Sequence, residues 1–157
     1  MPVRKLVKKL VKKPRRATPT ARNFNKAISV MAWIEDPYGQ VLMVKQAYGK
    51  KLWALPGGKV KHSESLLGAL KREILEETGY RVSHAYLIDL FDRPLKGNFT
   101  ILYRVLLKNS RPRKFNSKEI SSIAYCGKPP AKSTPSAKFF WKRALASFEP
   151  MSVIKKI

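Results

Sequence analysis

A mixed α/β (α+β) layered domain is the fold class this sequence predicts, and three observations carry it. Segments of two-residue and of 3.6-residue periodicity follow one another as strands, helix, strands, helix, which is not the strict alternation of a doubly wound sheet. The chain has 157 residues, 44% of them hydrophobic, enough for one domain whose core needs no covalent staples. Its single cysteine, Cys126, excludes an internal disulfide and a multi-cysteine metal site.

Residues 1–26 stand apart as a basic amphipathic arm and linker, with ten Lys/Arg and no acid. Val3, Leu6, Val7, Leu10 and Val11 recur at helical spacing, Pro14 should end that helix, and Pro19 among threonines reads as linker. Three readings of the arm stand side by side: a contact for membrane surface or nucleic acid, a tail that packs its stripe on the domain or a partner subunit, and an organelle-targeting peptide. The folded domain is expected over residues 27–150, with a tail at 151–157.

Within the domain, AISVMAWI and QVLMVKQ are strand candidates. The turn DPYG joins them, so residues 27–46 read as a hairpin. KKLWALPGGKV is a short apolar segment stopped by a turn at Pro56-Gly57-Gly58. Residues 65–78 carry the helical period. VSHAYLIDLF and FTILYRVLLK are two more strands, NSRPRKFNSKE is a basic loop, and ISSIAYC is a last strand. Ala137, Phe140, Trp141, Ala144 and Phe148 mark a C-terminal amphipathic helix. Trp33, Trp53, Trp141 and Cys126 are expected in the core, and His62 and His84 at the surface.

Charge is the unusual bulk property. Against 33 Lys+Arg there are 10 Asp+Glu, a formal +23, which attracts polyanions at long range. No apolar run approaches the roughly 20 residues of a transmembrane helix. Lysines interrupt the N-terminal apolar residues, so no secretory signal is visible. A cytoplasmic protein is expected.

In so basic a chain, four of the ten acids (Glu64, Glu73, Glu76, Glu77) fall close together. On a helix, Glu73, Glu76 and Glu77 stand at i, i+3 and i+4 and share a face, while Leu66, Leu67, Leu70 and Ile74 form the adjoining apolar stripe. Ser63 or its neighbour can cap the start of this helix and Gly79 its end. Three like charges on one face repel by a few tenths of a kcal/mol per pair. A divalent cation removes that cost, and hard oxygen ligands suit Mg²⁺ or Mn²⁺. Arg72 is placed to hold a carboxylate. Gly57 and Gly58 let backbone approach a metal or phosphate that a Cβ would keep away.

The segment GKVKHSESLLGALKREILEETGY resembles the box of the Nudix hydrolase family, G-x5-E-x7-R-E-U-x-E-E-x-G-U, where U is aliphatic or bulky apolar. Gly58, Glu64, Arg72, Glu73, Ile74, Glu76, Glu77, Gly79 and Tyr80 fill every fixed position, with Tyr80 where the family usually has an aliphatic residue. LWALPGGKV looks like the family's lead-in to the box. The resemblance implies a mixed β-sheet sandwiched between α-helices. It also implies hydrolysis of a nucleoside diphosphate linked to another moiety, with Mg²⁺ or Mn²⁺ as cofactor. By carry-over, Glu73, Glu76 and Glu77 are candidate metal ligands, with the Gly57 carbonyl as a further one. Arg72 orients the carboxylates. The general base is open between Glu73, Glu76 and Glu119, and Gly58 and Glu64 are placed on the substrate side.

The substrate itself stays open. Pro94 lies near a proline that marks an ADP-ribose subgroup, but its surroundings, FDRPLKGN, do not match. The charge favours a highly anionic nucleotide-type substrate, such as a triphosphorylated RNA 5′ end or a dinucleoside polyphosphate, or another polyanion, held by the arm and the basic loop; damaged nucleoside triphosphates are equally open. A homodimer would be unsurprising. The alternative is a catalytically weak Nudix-fold module that binds nucleic acid or regulates.

Overall fold

A computed structural model describes residues 26–108, 111–112 and 117–147, with side chains to 144. The stripe of residues 3–11, the middle of the basic loop, Phe148 and the tail at 151–157 lie outside the described residues. Among the described residues seven strands and two helices follow in order: β1 (Ala27–Trp33), β2 (Val41–Gln46), β3 (Trp53–Ala54), β4 (Gly57–Lys59), α1 (Leu66–Thr78), β5 (Val82–Arg93), β6 (Asn98–Leu107), β7 (Ile120–Cys126) and α2 (Pro135–Ser147). A 3-10 turn, Pro94–Lys96, links β5 to β6.

The strands form two sheets. One has the order β4-β1-β6-β5 and is mixed, because β1 runs parallel to β6 and its other pairs are antiparallel. The second, β3-β2-β7, is antiparallel. The expected hairpin over 27–46 is corrected here. Its turn forms, with the Asp36 carboxylate accepting from the amides of Tyr38 and Gln40. Beyond one bridge, Glu35 to Val41, however, β1 and β2 part into different sheets. The turn expected at Pro56-Gly57-Gly58 is also corrected: both glycines belong to β4, paired with β1.

Alternation on the central strands sets the layers. Val30 and Ala32 of β1, with Ile101, Tyr103 and Val105 of β6, pack with Ala69, Leu70 and Ile74 of α1. From the opposite face Trp33 and Leu102 pack with Ala137, Phe140 and Trp141 of α2. The two helices therefore cover opposite sides of the strands, as expected for a mixed sheet between helices. Leu70 and Ile74 are fully buried, each worth roughly 1.5–3 kcal/mol, and they fix how α1 is rotated. Leu67, expected in that stripe, is 45% exposed, and Ala69 holds the buried position instead. Trp33 and Trp141 meet edge to face at 5.2 Å in the core. Trp53 and Cys126 are only half-buried. Among the described residues, no helix is long and apolar enough to cross a membrane.

Candidate active site

Helix α1 is defined at both ends by its own sequence. Ser65, two residues past the expected Ser63, is the N-cap, and its hydroxyl accepts from the Gly68 amide at 3.0 Å. Ser63 instead takes a left-handed turn conformation, φ 61°. Gly79 closes the helix at φ 74°, donating its amide to the Leu75 carbonyl. Once Leu70 and Ile74 are buried, the rotation of the helix turns Glu73 and Glu77 toward β4.

The carboxylates then separate into distinct environments. Glu77 is buried, and its Oε2 accepts from the Gly57 amide at 2.8 Å. Glu73 is mostly covered and receives an Arg72 NH1 hydrogen bond at 2.7 Å. Glu76, on the same helix face by spacing, has a 57% exposed side chain and lies 3.4 Å from the same guanidinium. Glu64 is bound by Arg72 through two nitrogens, at 2.8 and 2.9 Å, and accepts from the Lys61 amide. Arg72 thus gathers three carboxylates, and its remaining reach goes to the Lys59 carbonyl at 3.2 Å.

Electrostatics follow these contacts. The Arg72 hydrogen bonds hold the Glu64 carboxyl down to about 2. Glu77 moves the other way, to about 8 from an ordinary 4.5. Burial is the main cause, the Gly57 amide opposes it, and the charges of Glu73, Glu119 and Glu76 add to it. Among the described residues this buried acid accepts from one amide and meets no cation in an ion pair, in a chain of formal charge +23.

These groups open on a cleft of about 540 Å³. One wall is β4 with α1, presenting Gly57, Gly58, Glu73 and Glu77. The other belongs to the second sheet, where Glu119 sits just before β7 and its carbonyl accepts from the Ala47 amide. Glu119 is distant in sequence from the helix acids, yet it lines the same cavity. Glu64, Arg72 and Glu76 are outside the cleft lining; they form the buttress behind it. The exposed Tyr48 also reaches the cleft, whereas Tyr38 and His62 lie at the surface and Phe99 packs on the core.

The glycines are explained by contact. A Cβ on Gly57, which has φ +144°, would strike the Val30 carbonyl oxygen and sit 2.8 Å from Met31 Cα. A Cβ on Gly58 would run into the Glu73 carboxylate, 2.5 Å from its Cδ. Tyr80, the unusual box residue, is buried in the α1-side core, where Tyr125 packs against the same cluster. Sequence reasoning passed over Lys59, Lys61, Gln46, Arg93 and the start of α2 at Thr134–Ser136, all of which line the cleft. Of these, Lys59 and Lys61 were within sight, because they follow closely on the box glycine, Gly58.

Residues 25–137 match the NUDIX domain family. An 8-oxo-dGTP diphosphatase of Buchnera aphidicola subsp. Acyrthosiphon pisum is 50% identical over 40 residues, 26% of this chain and 32% of that protein. The chain matches only about a third of the length of its curated relatives. Among solved structures, a MutT NUDIX hydrolase from Burkholderia pseudomallei is 23% identical over 74% of this chain and 96% of its own, with a TM-score of 0.66. A NUDIX hydrolase from Nitrosomonas europaea is 22% identical over 79% of this chain and 72% of its own, with a TM-score of 0.68. With the domain matched over most of its length and the fold shared with these structures, the chain belongs to the Nudix family.

Proposed function

We propose that this chain is a Mg²⁺-dependent pyrophosphohydrolase, able to use Mn²⁺, that cleaves a nucleoside diphosphate linked to another moiety. The observation that carries the reading is the meeting of Glu73, Glu77 and Glu119 at one cleft, with Glu77 buried and without a cationic partner among the described residues. Among the described residues no three acids stand close enough to enclose an ion as they are placed. The reason is visible: Glu73 is turned onto Arg72 and Glu77 onto the Gly57 amide. The donor set nonetheless fits a hard divalent ion, with carboxylate oxygens on a rigid helix beside a strand that a Cβ would obstruct. Glu73 and Glu77 would hold it, with the Gly57 carbonyl beside them.

Such an ion, when bound, neutralises diphosphate oxygens and lowers the pKa of a water. The chain's own residues do the rest. Lys59 and Lys61 at the cleft draw in the phosphate chain. Arg72 keeps Glu73 and Glu76 aligned from behind. Glu119 stands across the cleft from the helix, free of any carboxylate-binding arginine among the described residues, where a group that takes a proton from water is wanted. Phosphoryl transfer asks chiefly for this kind of positioning and charge compensation.

The test is a panel of nucleotides with Mg²⁺, extended to oxidised guanine nucleotides because curated relatives carry the name 8-oxo-dGTP diphosphatase. Release of a nucleoside monophosphate is expected, falling by about 10²-fold or more in Glu77→Gln. Labelled water will report which phosphorus is attacked. No turnover of any substrate with either ion would favour the second reading, a nucleic-acid-binding module, which the +23 charge supports.

A further inference from the structure

Arg93 stands apart from the other arginines with described ion pairs. Arg72, Arg104 and Arg143 each meet carboxylates, on Glu64, Glu73 and Glu76, on Glu35, and on Asp89 respectively. Among the described residues no carboxylate pairs with Arg93, although it lines the cleft. Its neighbours Asp89 and Asp92 are taken by Arg143 and Lys26.

The side chain is nevertheless held. Its Nε donates to Asn98 Oδ1 at 2.9 Å, and its guanidinium lies over the Phe91 ring at 5.3 Å. Phe91 is itself stacked on Phe139 of α2 at 3.9 Å. This chain of contacts leaves the two terminal nitrogens as a fork of preset orientation.

Register places that fork. Gly57 pairs with Met31, Met31 with Leu102, and Leu102 with Asp89, so all four project on one face. Lys59, Ser29, Thr100 and Phe91 form the next row on that face, and Ala27, Asn98 and Arg93 the third. From β4 to β5 there are three inter-strand steps, roughly 14 Å at about 4.8 Å each. A diphosphate held at Glu77 does not bridge that distance. Between the two ends stands Met31, on β1, which with Leu55 gives the cleft apolar lining, a surface that suits a flat ring and not a phosphate.

We propose that Arg93 is a specificity-determining residue that reads the acceptor edge of a purine base, preferring guanine to adenine. This rests on the hydrolase reading, since it takes the phosphates to lie at the Glu73–Glu77 end. The two terminal N–H groups match the adjacent O6 and N7 acceptors of guanine. Adenine presents an amino donor where guanine has O6, and a guanidinium has only donors to offer it.

The test is calorimetric binding to the full chain, with Ca²⁺ replacing Mg²⁺ so that affinity is read without turnover. The wild type should bind dGTP about tenfold or more tighter than dATP. dITP, which keeps O6 and N7, should bind like dGTP, and 7-deaza-dGTP, which lacks N7, should fall toward dATP. Arg93→Met, which keeps a stem over Phe91, should erase the guanine preference and leave dATP affinity within about twofold. Arg93→Lys should restore only part of it, because a point charge is not a fork.

Equal affinity of the wild type for dGTP and dATP would overturn the proposal. So would an Arg93→Met variant that melts at the wild-type temperature yet loses both nucleotides equally, since that would make Arg93 a phosphate contact. Binding without base preference sinks this inference alone. Absence of binding to any nucleotide would overturn the hydrolase reading with it.

Discussion

Replacing Glu77 with Gln tests the buried-acid argument directly, in the protein stripped of metal. In the folded chain the Glu77 carboxyl is pushed up to about 8, from 4.5. The folded state therefore holds this proton more tightly than the unfolded state does. Stability from this group is complete below about pH 4.5, falls as pH rises, and levels off beyond about pH 8. At about 1.4 kcal/mol per pH unit the ceiling over that window is roughly 5 kcal/mol, and relaxation around the charge brings the expected loss nearer 2–4 kcal/mol. Gln has the same shape, carries no charge at any pH, and its side-chain oxygen can still accept from Gly57.

The assay is urea unfolding in a chelator at about pH 5, 6.5 and 8. The wild type should weaken across the series, the variant should not, and the variant should be the more stable of the two at pH 8. Adding Mg²⁺ at pH 8 should close most of that gap. Ligand at a hundredfold excess over Kd stabilises by about 2.7 kcal/mol, and the variant, short of one ligand carboxylate, should gain less. If both proteins show the same slope with pH, Glu77 does not carry its proton into the neutral range and the reasoning fails.

Three further outcomes follow from contacts and a fourth from charge. Gly57→Ala should cost at least about 2–3 kcal/mol, because the residue would be strained at positive φ and its Cβ would strike β1. Gly58→Ala should leave melting nearly unchanged yet weaken metal binding, because its Cβ meets only the movable end of Glu73; calorimetry with Mn²⁺ separates the two. Arg72→Lys should fold but lower kcat more than it raises KM, since a single ammonium cannot replace the fork that holds Glu64 and Glu73; steady-state kinetics reads the split. Removal of residues 1–26 should reduce binding to RNA or anionic vesicles and flatten its salt dependence, without changing kcat on a small nucleotide; equal binding by both forms would deny the arm that role.

The acidic helix was legible in the sequence because its information is local. Spacing alone puts Glu73 and Glu77 on one side, and Leu70 and Ile74 beside them. What was not legible depends on partners far along the chain. AISVMAWI and QVLMVKQ flank a good turn, and nothing within them says that Ala27–Trp33 pairs with Asn98–Leu107 and Gly57–Lys59 instead of with Val41–Gln46. Leu67 reads like Leu70 by type, and only the position of the sheet exposes it. Arg93 reaches the cleft from an element that carries no motif of its own, and Glu119 was named only through the family resemblance.

The glycine pair shows why the local and the distant parts belong together. A tight turn would have suited two glycines equally well, so composition could not choose between turn and strand. The choice is made by the Val30 carbonyl, which occupies the place of a Cβ on Gly57 and brings β4 against β1. That pairing leaves the Gly57 amide facing α1, where Glu77 takes it. One backbone contact thus ties the strand, the helix and the acid, and it carries the Glu73 carboxylate onto the space above Gly58. A chain with the same helix acids but a side chain at position 57 would keep its amphipathic pattern and lose the cleft that gives the pattern a use.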